Sequence, residues 1–133
     1  METKEQCEKR YGKAVYIDGN ARLYEKAGLL IEVNFLNNVA HRIFYSKIKK
    51  DKIGKPLKLS DNEVKLLLES NKGSLAWKAI KANPIESFWV SNNGKIFASH
   101  EKFRGDLSVT TKEYLSFKAE EQKKEEAEKL KGL

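Results

Sequence analysis

Apolar and polar residues alternate in several short segments of this chain, and three capping boxes mark where helices should begin. The boxes are Thr3-x-x-Gln6, Ser60-x-x-Glu63 and Thr110-x-x-Glu113. In a capping box the hydroxyl accepts a hydrogen bond from a free backbone N–H, while the Glu or Gln side chain reaches back to the cap residue. The first two helical segments end at Gly12 and Gly73, and β-like sequence follows each of them. The pattern predicts two helix-then-hairpin units and a closing helix.

The clearest strand signal is an alternation that places Ile31, Val33 and Phe35 on one face. Asn37-Asn38 follows, and two asparagines can occupy the positive-φ positions of a two-residue turn. Asn92-Asn93-Gly94 gives a similar hairpin signal later in the chain, between strands predicted at residues 86–91 and 95–100. The segment around Trp77 is apolar but has no clear period, and the sequence does not assign it to a helix or a strand.

The strand that returns from the first asparagine turn requires an irregularity. A regular two-residue hairpin would place Arg42 and Phe44 on the core face. Ile43 and Tyr45 are the better core pair, and one extra residue would bring both of them inward. We therefore predict a β-bulge near His41.

Together these elements predict an α+β fold, with an antiparallel sheet of five to seven strands and helices packed on one face. The repeated order of elements also suggests a degenerate tandem helix–hairpin repeat. A chain of 133 residues is long enough to bury the core of a single domain. Its parts are unit one (3–46), a basic linker (47–58), unit two (59–117) and a charged helical tail (118–133).

Charge is unevenly distributed along the chain. The formal net charge is +7, and the linker contributes six lysines against a single acid, Asp51. A basic excess favours association with nucleic acid, anionic membrane surfaces or acidic proteins. No apolar run approaches the roughly 20 residues that a membrane span requires.

Catalytic motifs are not recognisable. His41 and His100 lie in separate strand candidates without metal-ligand spacing, and the sequence has no GxSxG or phosphate-binding loop. Cys7 is the only cysteine, and as a residue on an apolar helix face it is predicted to be buried core. We predict that the protein is not an enzyme and uses no metal or cofactor.

A protein-binding surface is the favoured interpretation of the aromatic residues in unit two. The candidates are Trp77, Phe88 and Trp89. Neighbouring residues in a strand point to opposite faces, so either Phe88 or Trp89 must face away from the main helix layer. An exposed aromatic side chain there could anchor a partner protein.

Nucleic-acid binding is the alternative. Its candidate residues are Arg42, Lys47, Lys49, Lys50, Lys52 and Lys55. Lysines could contact phosphates while a nearby ring, Phe44 or Tyr45, stacks on a base. Arginines, on which base-edge recognition relies, are few, and no known nucleic-acid-binding motif is recognisable.

The first third of the chain carries a longer pattern. A helix ends in Tyr11-Gly12-Lys13, a Tyr-x-Lys-x-Gly strand covers 24–28, and an Ile-x-Val-x-Phe strand covers 31–35 before an asparagine turn. This arrangement, strongest over residues 3–46, resembles the small bacterial envelope domains of the β-lactamase-inhibitor-protein-like superfamily. These domains include the lipoprotein subunit of the outer-membrane β-barrel assembly machinery. Residues 59–63 and 110–115 also resemble exported bacterial proteins that share this first unit.

The resemblance implies a helix layer against an antiparallel sheet, a non-enzymatic role and a location in the bacterial cell envelope. No lipobox precedes Cys7, so we do not expect it to carry a lipid anchor, and one cysteine cannot form the disulfides of the inhibitor proteins. No signal peptide is recognisable either. We expect the mature part of a periplasmic or secreted protein, or alternatively a cytoplasmic one, with another protein as its partner.

Overall fold

The computed structural model describes residues 1–73 and 75–133, which form three helices and eight strands. The helices are α1 (Lys4–Tyr11), α2 (Asp61–Asn71) and α3 (Lys112–Leu130). The strands of the first half are β1 (Tyr16–Asp18), β2 (Ala21–Lys26), β3 (Leu29–Leu36) and β4 (Val39–Lys47). Those of the second half are β5 (Trp77–Ala82), β6 (Glu86–Ser91), β7 (Ile96–Glu101) and β8 (Asp106–Thr111).

All eight strands belong to one antiparallel sheet, in the order β1-β2-β3-β4-β8-β7-β6-β5. One helix followed by four strands thus occurs twice along the chain, and the last strands of the two halves, β4 and β8, meet in the middle. The α+β class is confirmed, but the predicted range of five to seven strands is too low. The strand that the sequence left unassigned is β5, whose alternation is interrupted where Ile80 has no partner on β6.

Two of the three capping boxes form as predicted. The side chains of Thr3 and Ser60 each accept a hydrogen bond from the backbone N–H three residues ahead. In return, the side chains of Gln6 and Glu63 accept the backbone N–H groups of Thr3 and Ser60. The third box is wrong by one residue. Thr111, rather than Thr110, caps α3 by accepting the backbone N–H of Tyr114, because β8 stays paired with β7 as far as Thr111.

The predicted bulge is confirmed. Asn34 pairs with Arg42 and Phe35 pairs with Ala40, which leaves His41 as the extra residue of β4. As a result Ile43 and Tyr45 are buried.

The main core lies between the sheet and the two helices α1 and α2, on what we call the helix-covered face. Cys7, Tyr24 and Val33 are completely buried there. A buried polar contact ties the layers together: the hydroxyl oxygens of Tyr11 and Tyr45 lie 3.0 Å apart, and Asn71 Nδ2 donates to the Tyr45 hydroxyl at 2.8 Å. These contacts connect α1, β4 and α2.

The prediction that all helices pack on one face is wrong for α3. Its first two turns place Tyr114, Leu115 and Lys118 beside residues of the opposite face of the sheet. Nearly all later residues of α3 are exposed. Only the beginning of this helix, where the apolar residues are concentrated, therefore contacts the sheet.

Candidate functional site

An open groove of about 760 Å³ lies between the beginning of α3 and the sheet face that α1 and α2 leave uncovered. We call it the α3 groove. Its apolar surface is formed by Ile80, Phe88, Phe97 and Leu115. Residues from β3, β4, β5, β6, β7 and β8 reach it, so the groove spans the junction between the two halves of the sheet.

The register of the second half explains why aromatic side chains collect in this groove. Val90 of β6 pairs with Phe97 of β7, and Phe88 pairs with Ser99. These residues alternate with Trp89 and Ala98, which pair with each other on the helix-covered face. Phe97 was missed in the sequence, although the hairpin at Asn92-Asn93-Gly94 places it on the same face as Phe88.

The structure separates the three aromatic residues that the sequence proposed for protein binding. Trp77 and Trp89 are partly buried and pack against the core, although Trp89 also borders the α3 groove. Trp77 Nε1 donates to the carbonyl oxygen of Leu68 at 2.7 Å, which satisfies a backbone group near the end of α2. Phe88 is the residue of the three that faces away from the helix layer.

The polar side of the α3 groove is organised around Arg42. Its Nη1 donates to Asn34 Oδ1 at 2.9 Å and lies 3.4 Å from Glu32 Oε2. The guanidinium also lies over the ring of Phe44, 5.1 Å from its centroid. Arg42 is therefore held in place by Asn34, Glu32 and the Phe44 ring, and its charge is paired with that of Glu32.

One polar atom in the groove wall is unsatisfied. Thr110 Oγ1 is buried and makes no hydrogen bond to any residue in the described part of the chain. Buried hydroxyls normally have a partner, because desolvation without a hydrogen bond costs free energy. A bound group in the α3 groove could supply one.

The residues proposed for nucleic-acid binding do not form one cluster. Arg42 and Lys47 are five residues apart on β4, a separation of about 17 Å. Lys47 Nζ lies 2.8 Å from Glu63 Oε2, and this contact holds the pKa of Glu63 below its usual range. The remaining four, Lys49, Lys50, Lys52 and Lys55, are exposed on the linker.

Residues 49–57 of the linker form a small hairpin. Lys50 bridges to Pro56, and the backbone N–H of Leu57 donates to the carbonyl oxygen of Lys49 at 2.7 Å. Asp51 Oδ1 accepts the backbone N–H groups of Ile53 and Lys55, each at 3.0 Å. The four lysines therefore project from an ordered turn.

The single cysteine and both histidines lie outside the α3 groove. Burial raises the pKa of the Cys7 thiol to about 11, so the thiol stays protonated at neutral pH. His41 Nδ1 lies 2.7 Å from Thr111 Oγ1, beside the cap of α3. Burial also lowers the pKa of His100. Over residues 1–73 and 75–133, no group of three His, Cys, Asp or Glu side chains could hold a metal ion.

A second open cavity, of about 700 Å³, lies at the end of the sheet where α3 begins. His41, Ile96 and Thr111 contribute to its lining, together with residues of the Asn93 turn. None of the aromatic candidates contributes to it.

Comparison with protein-family models gave no match, and neither the curated proteins nor the solved structures gave a significant one. In the described residues, no helix has the length and apolar character needed to cross a membrane. The assignment of the α3 groove as a candidate site therefore rests on its geometry.

Proposed function

We propose that this protein is a non-catalytic binding module of the bacterial cell envelope that holds a segment of a partner protein in the α3 groove. The observation that carries the proposal is the position of Phe88 and Phe97, which are only partly buried and line an open groove on a sheet face that neither α1 nor α2 covers. The same groove ends at a fixed arginine, Arg42, so it combines an apolar surface with directional polar groups.

This composition matches the anatomy of protein–protein interfaces. Such interfaces have an apolar or aromatic centre where most of the binding energy is concentrated, surrounded by polar groups that provide orientation. Phe88, Phe97 and Leu115 would form the centre, whereas Arg42 and Lys118 lie among the polar groups. The partner segment would place apolar side chains on the phenylalanines and a hydrogen-bonding group near Thr110 Oγ1.

The non-catalytic role is supported by the state of the reactive side chains. The Cys7 thiol is buried and protonated at neutral pH, and a protonated thiol is a poor nucleophile. His41 and His100 lie outside the α3 groove. The envelope location is supported by the resemblance of residues 3–46 to envelope domains, as is the expectation that the partner is a protein.

Nucleic-acid binding by the linker receives less support. Arg42 is engaged by Glu32 and Asn34, and Lys47 is engaged by Glu63. The four lysines that remain could still contact phosphates, and such binding would weaken steeply as salt is raised. Absence of binding to DNA or RNA at low salt would eliminate this alternative.

Neighbouring residues on β6 provide the test of the α3 groove. Wild-type protein and its Phe88→Ala variant would be used side by side to capture partners from an envelope extract, and the captured protein would be titrated against both. We expect binding to weaken at least about 30-fold for Phe88→Ala, because a central aromatic anchor contributes about 2 kcal/mol or more. Urea unfolding should show that this variant remains folded.

Trp89→Ala is the matched control for stability, because Trp89 belongs to the same strand and packs against the core, although it also borders the groove. It should lower the free energy of unfolding much more than Phe88→Ala does. Phe103→Ala, outside the groove, should alter neither property. Unchanged binding by a Phe88→Ala, Phe97→Ala double variant would refute the groove as the binding surface.

A further inference from the structure

Three loops converge at one end of the sheet, far from the beginning of α3. Strands β4, β5 and β7 run in the same direction in the antiparallel order, so Lys47, Ala82 and Glu101 all end on the same side. We call the surface formed by residues 48–58, 83–85 and 102–105 the basic end. None of these residues lines the α3 groove.

Each of the three loops exposes a large apolar side chain. Ile53 at the turn of the linker hairpin is 78% exposed, Phe103 is 70% exposed and Ile85 is 50% exposed. Single exposed apolar residues are common on protein surfaces and do not by themselves indicate a binding site. Three of them at one end of a sheet, each on a separate loop, form an apolar rim.

Four exposed lysines lie on the linker hairpin of this rim, with Asp51 as the single acid of that hairpin. Within the described residues, Lys49, Lys50, Lys52 and Lys55 form no ion pair. Nearby acids are already engaged: Arg104 Nε lies 3.4 Å from Glu101 Oε2 and 3.1 Å from Asp106 Oδ2.

The end of the linker and the loop 102–105 are held against each other before any partner arrives. Gly105 has a φ of +72°, and a Cβ built there would clash with Lys58 Cα, so the loop 102–105 lies directly against the end of the linker. The backbone N–H of Leu59 donates to the Gly105 carbonyl oxygen at 2.9 Å. Lys58 Nζ also lies 5.9 Å from the centroid of the Phe103 ring. Ordering these loops would therefore cost little free energy on binding.

From this arrangement we infer that the basic end docks on an anionic lipid bilayer. Lysines near an anionic surface each gain about 1 kcal/mol, and apolar side chains between them can enter the boundary between headgroups and acyl chains. A nucleic acid would use the lysines equally well, but it offers no environment for the aliphatic side chains of Ile53 and Ile85. The exposed side chains of Ile53 and Ile85 therefore favour a bilayer over a nucleic acid as the partner.

Sedimentation with lipid vesicles tests the inference. The full chain would be mixed with vesicles of phosphatidylcholine alone, or of phosphatidylcholine with phosphatidylglycerol, at matched salt. We expect binding to the anionic vesicles alone. Each Lys→Gln change at positions 49, 50, 52 and 55 should weaken binding about fivefold, and Ile53→Ser should weaken it about tenfold.

A charge-matched control uses four exposed lysines of the last part of the chain, Lys123, Lys124, Lys129 and Lys131. Changing these four to Gln removes the same net charge, and it should weaken vesicle binding far less than the linker quadruple variant. Equal losses in the two quadruple variants would overturn the inference, because the attraction would then follow net charge alone. Equal binding to neutral vesicles would overturn it as well.

Binding of a single-stranded oligonucleotide is the remaining measurement. Tight oligonucleotide binding that the linker quadruple variant abolishes, together with vesicle binding that Ile53→Ser leaves unchanged, would assign the basic end to nucleic acid and reject the bilayer. The variants alter exposed side chains, and unfolding curves would verify that they fold. Because the α3 groove is not involved, failure here leaves the protein-binding proposal intact, and the reverse also holds.

Discussion

The two halves of the sheet have the same order of elements but use their faces differently. In the first half, β3 alternates strictly, and its core residues Ile31, Val33 and Phe35 are almost completely buried. In the second half, five of the six residues of β6 are partly buried. Both faces of β6 contact other groups, one against the core and the other in the α3 groove. Strand β3 therefore contributes mainly to the core, whereas β6 is less completely buried and presents part of its apolar surface in the α3 groove.

The largest expected effect concerns matched phenylalanines in the two halves. Phe35→Ala should lower the free energy of unfolding by about 3–5 kcal/mol, because the ring is 1% exposed and its loss leaves a cavity. Phe88→Ala should cost about 1 kcal/mol, since the groove is already open to solvent. Urea unfolding measures both, and similar losses would break the comparison between the halves.

A matched pair of glycines examines the most tightly constrained loop of the second half. Gly105 and Gly94 both have a φ of +72°, but only at Gly105 would a Cβ collide with backbone. Gly105→Ala should cost about 2–4 kcal/mol, through backbone strain and the clash with Lys58. Gly94→Ala should show the strain alone, about 1–2 kcal/mol. Thermal unfolding of the two variants separates the terms, and equal losses would mean that the loop moves freely.

The hydroxyl of Tyr45 connects the first half to α2. Tyr45→Phe should cost about 1–3 kcal/mol, because it leaves the buried Tyr11 hydroxyl and the Asn71 amide without this partner. Tyr16→Phe is the control, since Tyr16 is exposed on the edge strand β1. Denaturant unfolding should show no loss for the control. A stable Tyr45→Phe variant would mean that the hydroxyl contact contributes little.

The smallest effect is a pH dependence in the second half. Burial lowers the pKa of His100, so the folded state disfavours its protonated form. Stability is therefore complete above the unfolded-state pKa of about 6.5, and it declines as pH falls toward the lower folded-state pKa. Unfolding free energies measured from pH 7.5 downward should show this decline, and His100→Gln should reduce its slope. An unchanged slope would place His100 in a solvated environment.

Local signals in the sequence were sufficient for much of the fold. The caps at Thr3 and Ser60 and the bulge at His41 depend on residues a few positions apart, so the sequence contains all the information that they require. The cap at Thr111 does not, because pairing with β7 decides how far β8 extends. Strand β5 is likewise defined by its pairing with β6, which the sequence around Trp77 does not reveal.

The α3 groove depends on contacts between distant segments. The sequence shows that Phe88 and Trp89 must face opposite sides, but it does not say which side the helices cover. Helix α2 covers the face of Trp77, whose indole N–H donates to the Leu68 carbonyl oxygen. Helix α3 begins over the opposite face. The resemblance of residues 3–46 to envelope domains remains a prediction.

The position of β4 beside β8 also affects the order in which the protein can form during translation. The paired residues of these strands are 62 residues apart for Tyr45 and Leu107 and 68 residues apart for Arg42 and Thr110. The inner edge of β4 must remain unpaired until β8, the last of the eight strands of this sheet in sequence order, has left the ribosome. Until then a nascent chain has an open hydrogen-bonding edge that invites mispairing with other chains. Synthesis rate and chaperone binding near residue 111 should therefore govern the yield of folded protein.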